Sequence, residues 1–157
     1  MTFARSAFAR LVASGGGIGL SPLAPGTVGS ATAVLVGVGL LRTPHPALTL
    51  GVAVGLAIGA GLWSIVRAAA ADDPGWVVID EFAGQWIAML PLARPSLAGC
   101  ALAFALFRLF DIAKPGPVGW LDRRRGAWAV MADDVAAGTL AACCVGTARW
   151  ALPNLLD

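Results

Sequence analysis

Long uncharged runs separated by short polar breaks set the rhythm of this chain. No charge falls between Val28 and Leu41, and between Ala47 and Ala71 only Arg67 interrupts the apolar residues. The first run is shorter than the ~20 residues a helix needs to cross a bilayer, so it reads as a buried or re-entrant helix. The second is long enough to span outright, and its Gly51, Gly55 and Gly59 recur every fourth residue, a pattern that predicts close approach of a second helix. Between the runs, Arg42 and the Pro44-His45-Pro46 turn break the chain, and His45 reads as a solvated loop residue. A helix carrying Asp80 and Glu81 ends near Pro91, and another runs from about Ser96 until Pro115 and Pro117 stop it just beyond Lys114. After Trp128 comes a segment with Asp133, Asp134 and then Gly138. Strand alternation is absent, so the expectation is an all-α fold: a compact, membrane-associated helical bundle with at least one long apolar helix, residues 1–157 forming one domain.

Two shorter stretches refine this outline. At the start, Phe3, Phe8, Leu11 and Val12 oppose Arg5 and Arg10, as in a short amphipathic helix lying at an interface, with no small-residue cleavage site to mark a removed signal. The SPLAPGTVGS stretch, Ser21 to Ser30, reads as a loop closed by Thr27 as the N-cap of the following helix.

Composition strengthens the membrane expectation. The chain is 58% hydrophobic and 13% charged, against about 25% charged in an ordinary soluble domain, so it carries roughly half the usual polar covering. A net charge of +2 is too small and too scattered to argue for nucleic acid, and the one basic run, Arg123 to Arg125, suits a cytoplasmic membrane surface. Three cysteines cannot close a disulfide framework. Cys143 and Cys144 are adjacent in an apolar run and read as reduced, packed thiols.

The charges inside apolar sequence are where chemistry enters. Asp80 and Glu81 sit between Val77, Val78, Ile79 and Phe82, and ions in such surroundings are costly to desolvate unless a partner charge or a metal offsets them. In a helix Gly84 lies one turn after Asp80 and leaves room for a ligand or another backbone; Asp134 and Gly138 repeat that spacing. Arg108, Asp111 and Lys114 stand three apart and share one broad helical face. Asp72 and Asp73, before Pro74-Gly75, read as a solvated cap. Carboxylates outnumber cations, and oxygen-only ligands without histidine or thiolate favour Mg²⁺ over Zn²⁺. Carboxylates flanked by Arg and Lys suggest phosphoryl chemistry, with the Ser21 to Ser30 loop as a phosphate cradle. A charge network tying helices together, or an ion pathway, would use the same residue types.

In order, PGTVGS (Pro25 to Ser30), DEFAGQW (Asp80 to Trp86), FRLFDIAKPGP (Phe107 to Pro117) with Asp122 following, and DDVAAG (Asp133 to Gly138) resemble the motifs of the bacterial phosphatidylglycerophosphatase A family. The resemblance runs from about Leu11 to the final helix and departs from the family pattern at Gly116, Ala127 and Ala129. It implies an all-helical, Mg²⁺-dependent phosphatase at the bacterial inner membrane, converting phosphatidylglycerophosphate to phosphatidylglycerol and phosphate on the cytoplasmic side. On this reading Asp80, Glu81, Asp133 and Asp134 are the expected Mg²⁺ ligands, and Asp111 is a further ligand or the group orienting Lys114. Arg108 and Lys114 would hold phosphate oxygens, Thr27 and Ser30 would position the phosphate, and one carboxylate would act as general base.

A competing signature is Cys143, Gly146 and Arg149, which satisfy the C-x-x-G-x-x-R spacing of cysteine-dependent phosphatases. That thiolate needs a loop of N–H groups between a strand and a helix, whereas the flanks here read as the interior of an apolar helix. A phosphatase of a soluble monoester and a non-catalytic helical membrane protein are the other classes the sequence leaves open.

Overall fold

The computed structural model describes residues 2–68, 70 and 72–156, with side chains from Ser6 onward except at 155. The chain folds into α1 (Thr2–Ala13), α2 (Pro25–Leu40), α3 (Pro46–Ala68), α4 (Ile79–Met89), α5 (Leu97–Ala113), α6 (Pro117–Asp122), α7 (Ala127–Ala151) and α8 (Pro153–Leu156), with one 3-10 turn at Ile18–Leu20. No strand occurs among the described residues, and the all-α expectation holds.

Proline and glycine set most of the boundaries. α2, α3, α6 and α8 each begin on a proline, whose fixed φ suits the first helical position and whose missing N–H would find no partner there. α1 ends in Gly15, Gly16 and Gly17, all at positive φ, where the Gly16 N–H reaches back to the Leu11 carbonyl at 2.8 Å. The side chain of Ser96 caps α5 by accepting the Gly99 N–H at 3.0 Å. At the other end of α5, Lys114 takes a left-handed conformation, φ 47°, that turns the chain before Pro115. Thr27 is not a cap: α2 already starts at Pro25 with Ala24 as its N-cap, so PGTVGS forms the first turns of a helix rather than a loop.

α4 is the centre of the bundle. It packs against α2, α3, α5 and α7, and eight of its eleven residues are buried. Close contact with α7 depends on two glycines: a methyl on Gly138 would overlap the Gly84 carbonyl, and one on Gly84 would meet the Asp134 carbonyl at 2.7 Å and the Phe107 ring. The repeated Asp-to-Gly spacing is therefore the crossing point of two helices, with a carboxylate one turn above the contact on each.

α3 and α7, of 23 and 25 residues, are long and apolar enough to cross a membrane. Much of α3 is uncovered by protein, as Leu48, Val52, Leu56 and Val66 show. Its Gly51, Gly55 and Gly59 also face open space, contrary to the close packing expected of them. The buried stripe, Leu50, Ala57, Gly61, Ser64, Ile65 and Ala68, lies on a different face, and the close approach is made by Gly61 against Met131 of α7. In α1, Ala9 and Ala13 are buried while Phe8 and Leu11 are exposed, and Phe8 packs edge-on against Trp63 at 5.9 Å. The side chains of Phe3 and Arg5 lie outside the described residues. Of the three free thiols only Cys100 is buried; Cys143 and Cys144 are exposed on α7, a correction to their reading as packed.

Candidate active site

At the end of the bundle where α3 finishes and α7 begins, acidic residues from several elements converge. Glu81 stands in the first turn of α4 and accepts Ser30 Oγ at 2.7 Å and Arg108 Nη1 at 2.7 Å to each carboxylate oxygen. The same Nη1 lies 2.7 Å from Asp111 Oδ2, one turn further along α5. Glu81, Asp111 and Asp134 each offer an oxygen within 4.8 Å of the other two. Three carboxylates from α4, α5 and α7 thus converge, and two of them, Glu81 and Asp111, share one guanidinium.

Such a cluster is short of positive charge, and the titration behaviour of α4 reflects this. Burial pushes the Glu81 carboxyl up to about 7 even though Arg108 pulls the other way. Asp80 is raised well above the ordinary carboxylate range, first by burial and then by Glu81; its Oδ1 accepts the Glu81 N–H at 2.9 Å. A donor set of oxygens alone, buried and in charge deficit, fits a hard divalent cation.

Lys114 organises a second, shallower cluster. Its Nζ donates to Asp133 Oδ2 at 3.0 Å and to Asp122, and these two carboxylates hold the ammonium above the ordinary lysine value although burial opposes the charge. A cavity of about 190 Å³ joins the two clusters, walled by Asp73, Asp80, Glu81, Asp111, Lys114, Asp133 and Asp134 together with Pro25 and Gly26 at the start of α2. Gly26 approaches so closely that a methyl there would run into Glu81 Oε1.

The sequence-derived residues therefore separate. Glu81, Asp111 and Asp134 form the tight group with Arg108; Asp80 and Asp133 line the same cavity, but Asp133 is held by Lys114. Asp111 pairs with Arg108 rather than Lys114 because the left-handed cap carries Lys114 off the helical face. Ser30 is buried against Glu81, whereas Thr27 is exposed in the first turn of α2. Two residues escaped the sequence reading of the site. Asp122 partners Lys114, and its place in the third motif was the available signal. Asp73, at φ 52°, is exposed as a residue, yet its carboxyl lies against the cavity, where desolvation raises its pKa against the lowering pull of Lys114. Nothing in the Asp-Asp-Pro-Gly string distinguishes it from an ordinary cap. Cys143, Gly146 and Arg149 lie within the continuous helix α7, and Arg149 donates to the Pro91 carbonyl at 2.7 Å, so they form no phosphate loop.

Comparison with known proteins bears on this arrangement. The family described as Phosphatidylglycerophosphatase A matches residues 11–149, a range that includes every residue of both clusters. The chain is 37% identical over 134 residues to the phosphatidylglycerophosphatase A of Escherichia coli strain K12, covering 84% of this chain and 78% of that one. The Haemophilus influenzae phosphatidylglycerophosphatase A is 36% identical over 140 residues, with 83% and 82% covered. A protein of Bacteroides thetaiotaomicron named putative phosphatidylinositol-3-phosphatase is 37% identical over 149 residues, with 90% and 94% covered. No solved structure matches the chain at a comparable level of significance. With its carboxylate-lined cavity at one end of an apolar helical bundle and this extent of similarity, the chain belongs to the phosphatidylglycerophosphatase A family, which supports phosphatidylglycerophosphate phosphatase activity.

Proposed function

We propose that the chain hydrolyses the terminal phosphate monoester of phosphatidylglycerophosphate at the cytoplasmic face of the inner membrane, with Mg²⁺ held by Glu81, Asp111 and Asp134. The observation that carries this reading is the meeting of those three carboxylates within 4.8 Å in a chain of this family. When bound, Mg²⁺ supplies Lewis acidity and positive charge to the phosphoryl group. Asp80 and Asp133 stand in the surrounding cavity wall rather than among the three proposed ligands.

The chain's own groups do the remaining work. Arg108 neutralises Glu81 and Asp111, two carboxylates of the cavity wall, through Nη1, which lessens the repulsion an incoming phosphate would meet. The start of α2 adds backbone N–H groups at the positive end of a helix, and Pro25 and Gly26 already border the cavity. Ser30 fixes the Glu81 carboxylate rather than the phosphate. Asp80 spends Oδ1 on the Glu81 N–H, and no cation pairs with it among the described ion pairs; it is the carboxylate placed to take the proton of the attacking water. Water adds to phosphorus, the bond to the glycerol oxygen breaks, and that oxygen takes up a proton to give phosphatidylglycerol.

The bundle's polarity supports this location. α3 ends and α7 begins at the site, so the acyl chains stay beside apolar helices while the headgroup enters the cavity. Arg67 and Arg123 to Arg125 lie at that end, which supports a cytoplasmic orientation. The test is phosphate release from phosphatidylglycerophosphate in detergent micelles, with Mg²⁺ and with chelator, alongside phosphatidylinositol 3-phosphate as a rival substrate. Magnesium-dependent turnover that falls at least about a thousandfold in Glu81→Gln supports the site. Full turnover in chelator would overturn the metal assignment, and preferred turnover of the inositol lipid would overturn the headgroup.

A further inference from the structure

Beyond the acid triad the cavity continues. A second space of about 420 Å³ shares Asp73, Val130 and Asp133 with the first and carries Arg124 and Arg125 on its wall. The two arginines differ from their neighbour. Arg124 stacks its guanidinium on Trp120, 4.3 Å from the ring centroid, which restrains a long side chain before any ligand arrives. Arg123 packs back toward Gly119 and is not part of the wall.

The chemistry of this second space is mixed. Lys114 pairs with Asp122 and Asp133, so neither arginine is drawn into those ion pairs, and Arg124 and Arg125 face the space together with Asp72 and Asp73, whose carboxylates can accept from a hydroxyl. Trp120 and Trp128, 50% and 51% exposed, lie on either side of the arginines in the chain, and half-exposed tryptophans of this kind suit a membrane–water interface. A lipid headgroup with a phosphodiester and a free hydroxyl, linked to a terminal phosphate monoester, matches both spaces at once.

We propose that the larger cavity is a headgroup subsite, in which Arg124 and Arg125 hold the phosphodiester of the substrate and Asp73 accepts its glycerol hydroxyl. This rests on the lipid phosphatase reading above and adds what selects the substrate: a second phosphate, one glycerol away from the one removed. A planar guanidinium binds such a diester through two parallel hydrogen bonds, which a single phosphate in the triad does not require.

The experiment compares phosphatidylglycerophosphate with phosphatidate of the same acyl chains, which has the monoester but no diester. Full-length wild type, Arg124→Ala/Arg125→Ala and Arg123→Ala are assayed with Mg²⁺ in micelles, phosphatidate serving as substrate or competitor. The double variant is expected to raise KM for phosphatidylglycerophosphate at least about tenfold, with kcat within about twofold and affinity for phosphatidate unchanged. Arg123→Ala is expected to move neither. Equal weakening for both lipids, or the same loss in Arg123→Ala, would assign the arginines to general attraction of an anionic surface and overturn the subsite. A binding arm separates this from the catalytic reading. Glycerophosphoglycerol, which has the diester and hydroxyls but nothing to hydrolyse, is followed by saturation-transfer NMR on wild type and the double variant. Binding lost in the variant supports the subsite even if wild type releases no phosphate, and equal binding in both overturns it.

Discussion

The Arg108 and Lys114 clusters use the same residue types and do different work. Around Arg108 two carboxylates share one guanidinium with a third, Asp134, beside them, and the Arg108, Glu81 and Asp111 side chains are 10–15% exposed. Around Lys114 the ion pairs are opener, with the lysine and Asp122 side chains 31% and 41% exposed. Desolvation makes unpaired charge expensive in the first place and tolerable in the second. The deep cluster is therefore the one whose charge deficit a divalent cation relieves. The shallow one keeps its own lysine, and its Asp122 and Asp133 border the larger of the two spaces.

The widest separation between the clusters is expected in turnover. Asp134→Asn and Asp111→Asn should each lower phosphate release by about a thousandfold, whereas Asp122→Asn should cost less than about tenfold, because it removes one partly exposed ion pair. Comparable losses in all three would erase the distinction drawn here. Next in size is Gly138→Ala, which forces α7 away from α4 beneath both clusters and should lower stability by about 3 kcal/mol, read as a drop in Tm in detergent. An unchanged Tm would mean that the glycine contact is not what holds the carboxylates together.

A smaller effect concerns pH. The Glu81 carboxyl is raised from an ordinary 4.5 to about 7 in the folded chain. Between those values the folded state holds a proton that the unfolded state has lost, so this group's contribution to stability is complete below 4.5 and disappears as pH rises through 7. Metal-free protein should accordingly have a lower Tm at pH 8 than at pH 5, and Mg²⁺ should restore it mainly at pH 8. Equal rescue at both values would place the cation away from Glu81. Smallest of all, Cys143→Ser should leave Tm and turnover within error, since the thiol is exposed, lies more than two helical turns beyond Asp134 on α7 and lines neither space of the site. Loss of activity there would revive the thiol mechanism.

Much of the fold was legible in residue order alone. Pro46, Ser96, Pro115 and Pro117 mark helix ends because a missing N–H or a side-chain cap acts locally. Charges embedded among Val78, Ile79 and Phe82 identify a costly site wherever they are buried. The face of α3 that packs was not legible: Gly51, Gly55 and Gly59 form as good a stripe as Leu50, Ala57 and Gly61, and only the position of α4 and α7 chooses between them.

The same division runs through the site. By itself the sequence determined that acidic residues near Asp80, Asp111 and Asp133 must find positive charge in apolar surroundings, since desolvation depends on composition nearby. Tertiary structure alone decided that Asp111 met Arg108 and Asp133 met Lys114, while Asp80 met no cation among the described ion pairs. Backbone conformation at Lys114 and Asp73 and the Gly84–Gly138 crossing set distances between residues far apart in the chain, and Coulomb energy depends on those distances rather than on spacing along the sequence.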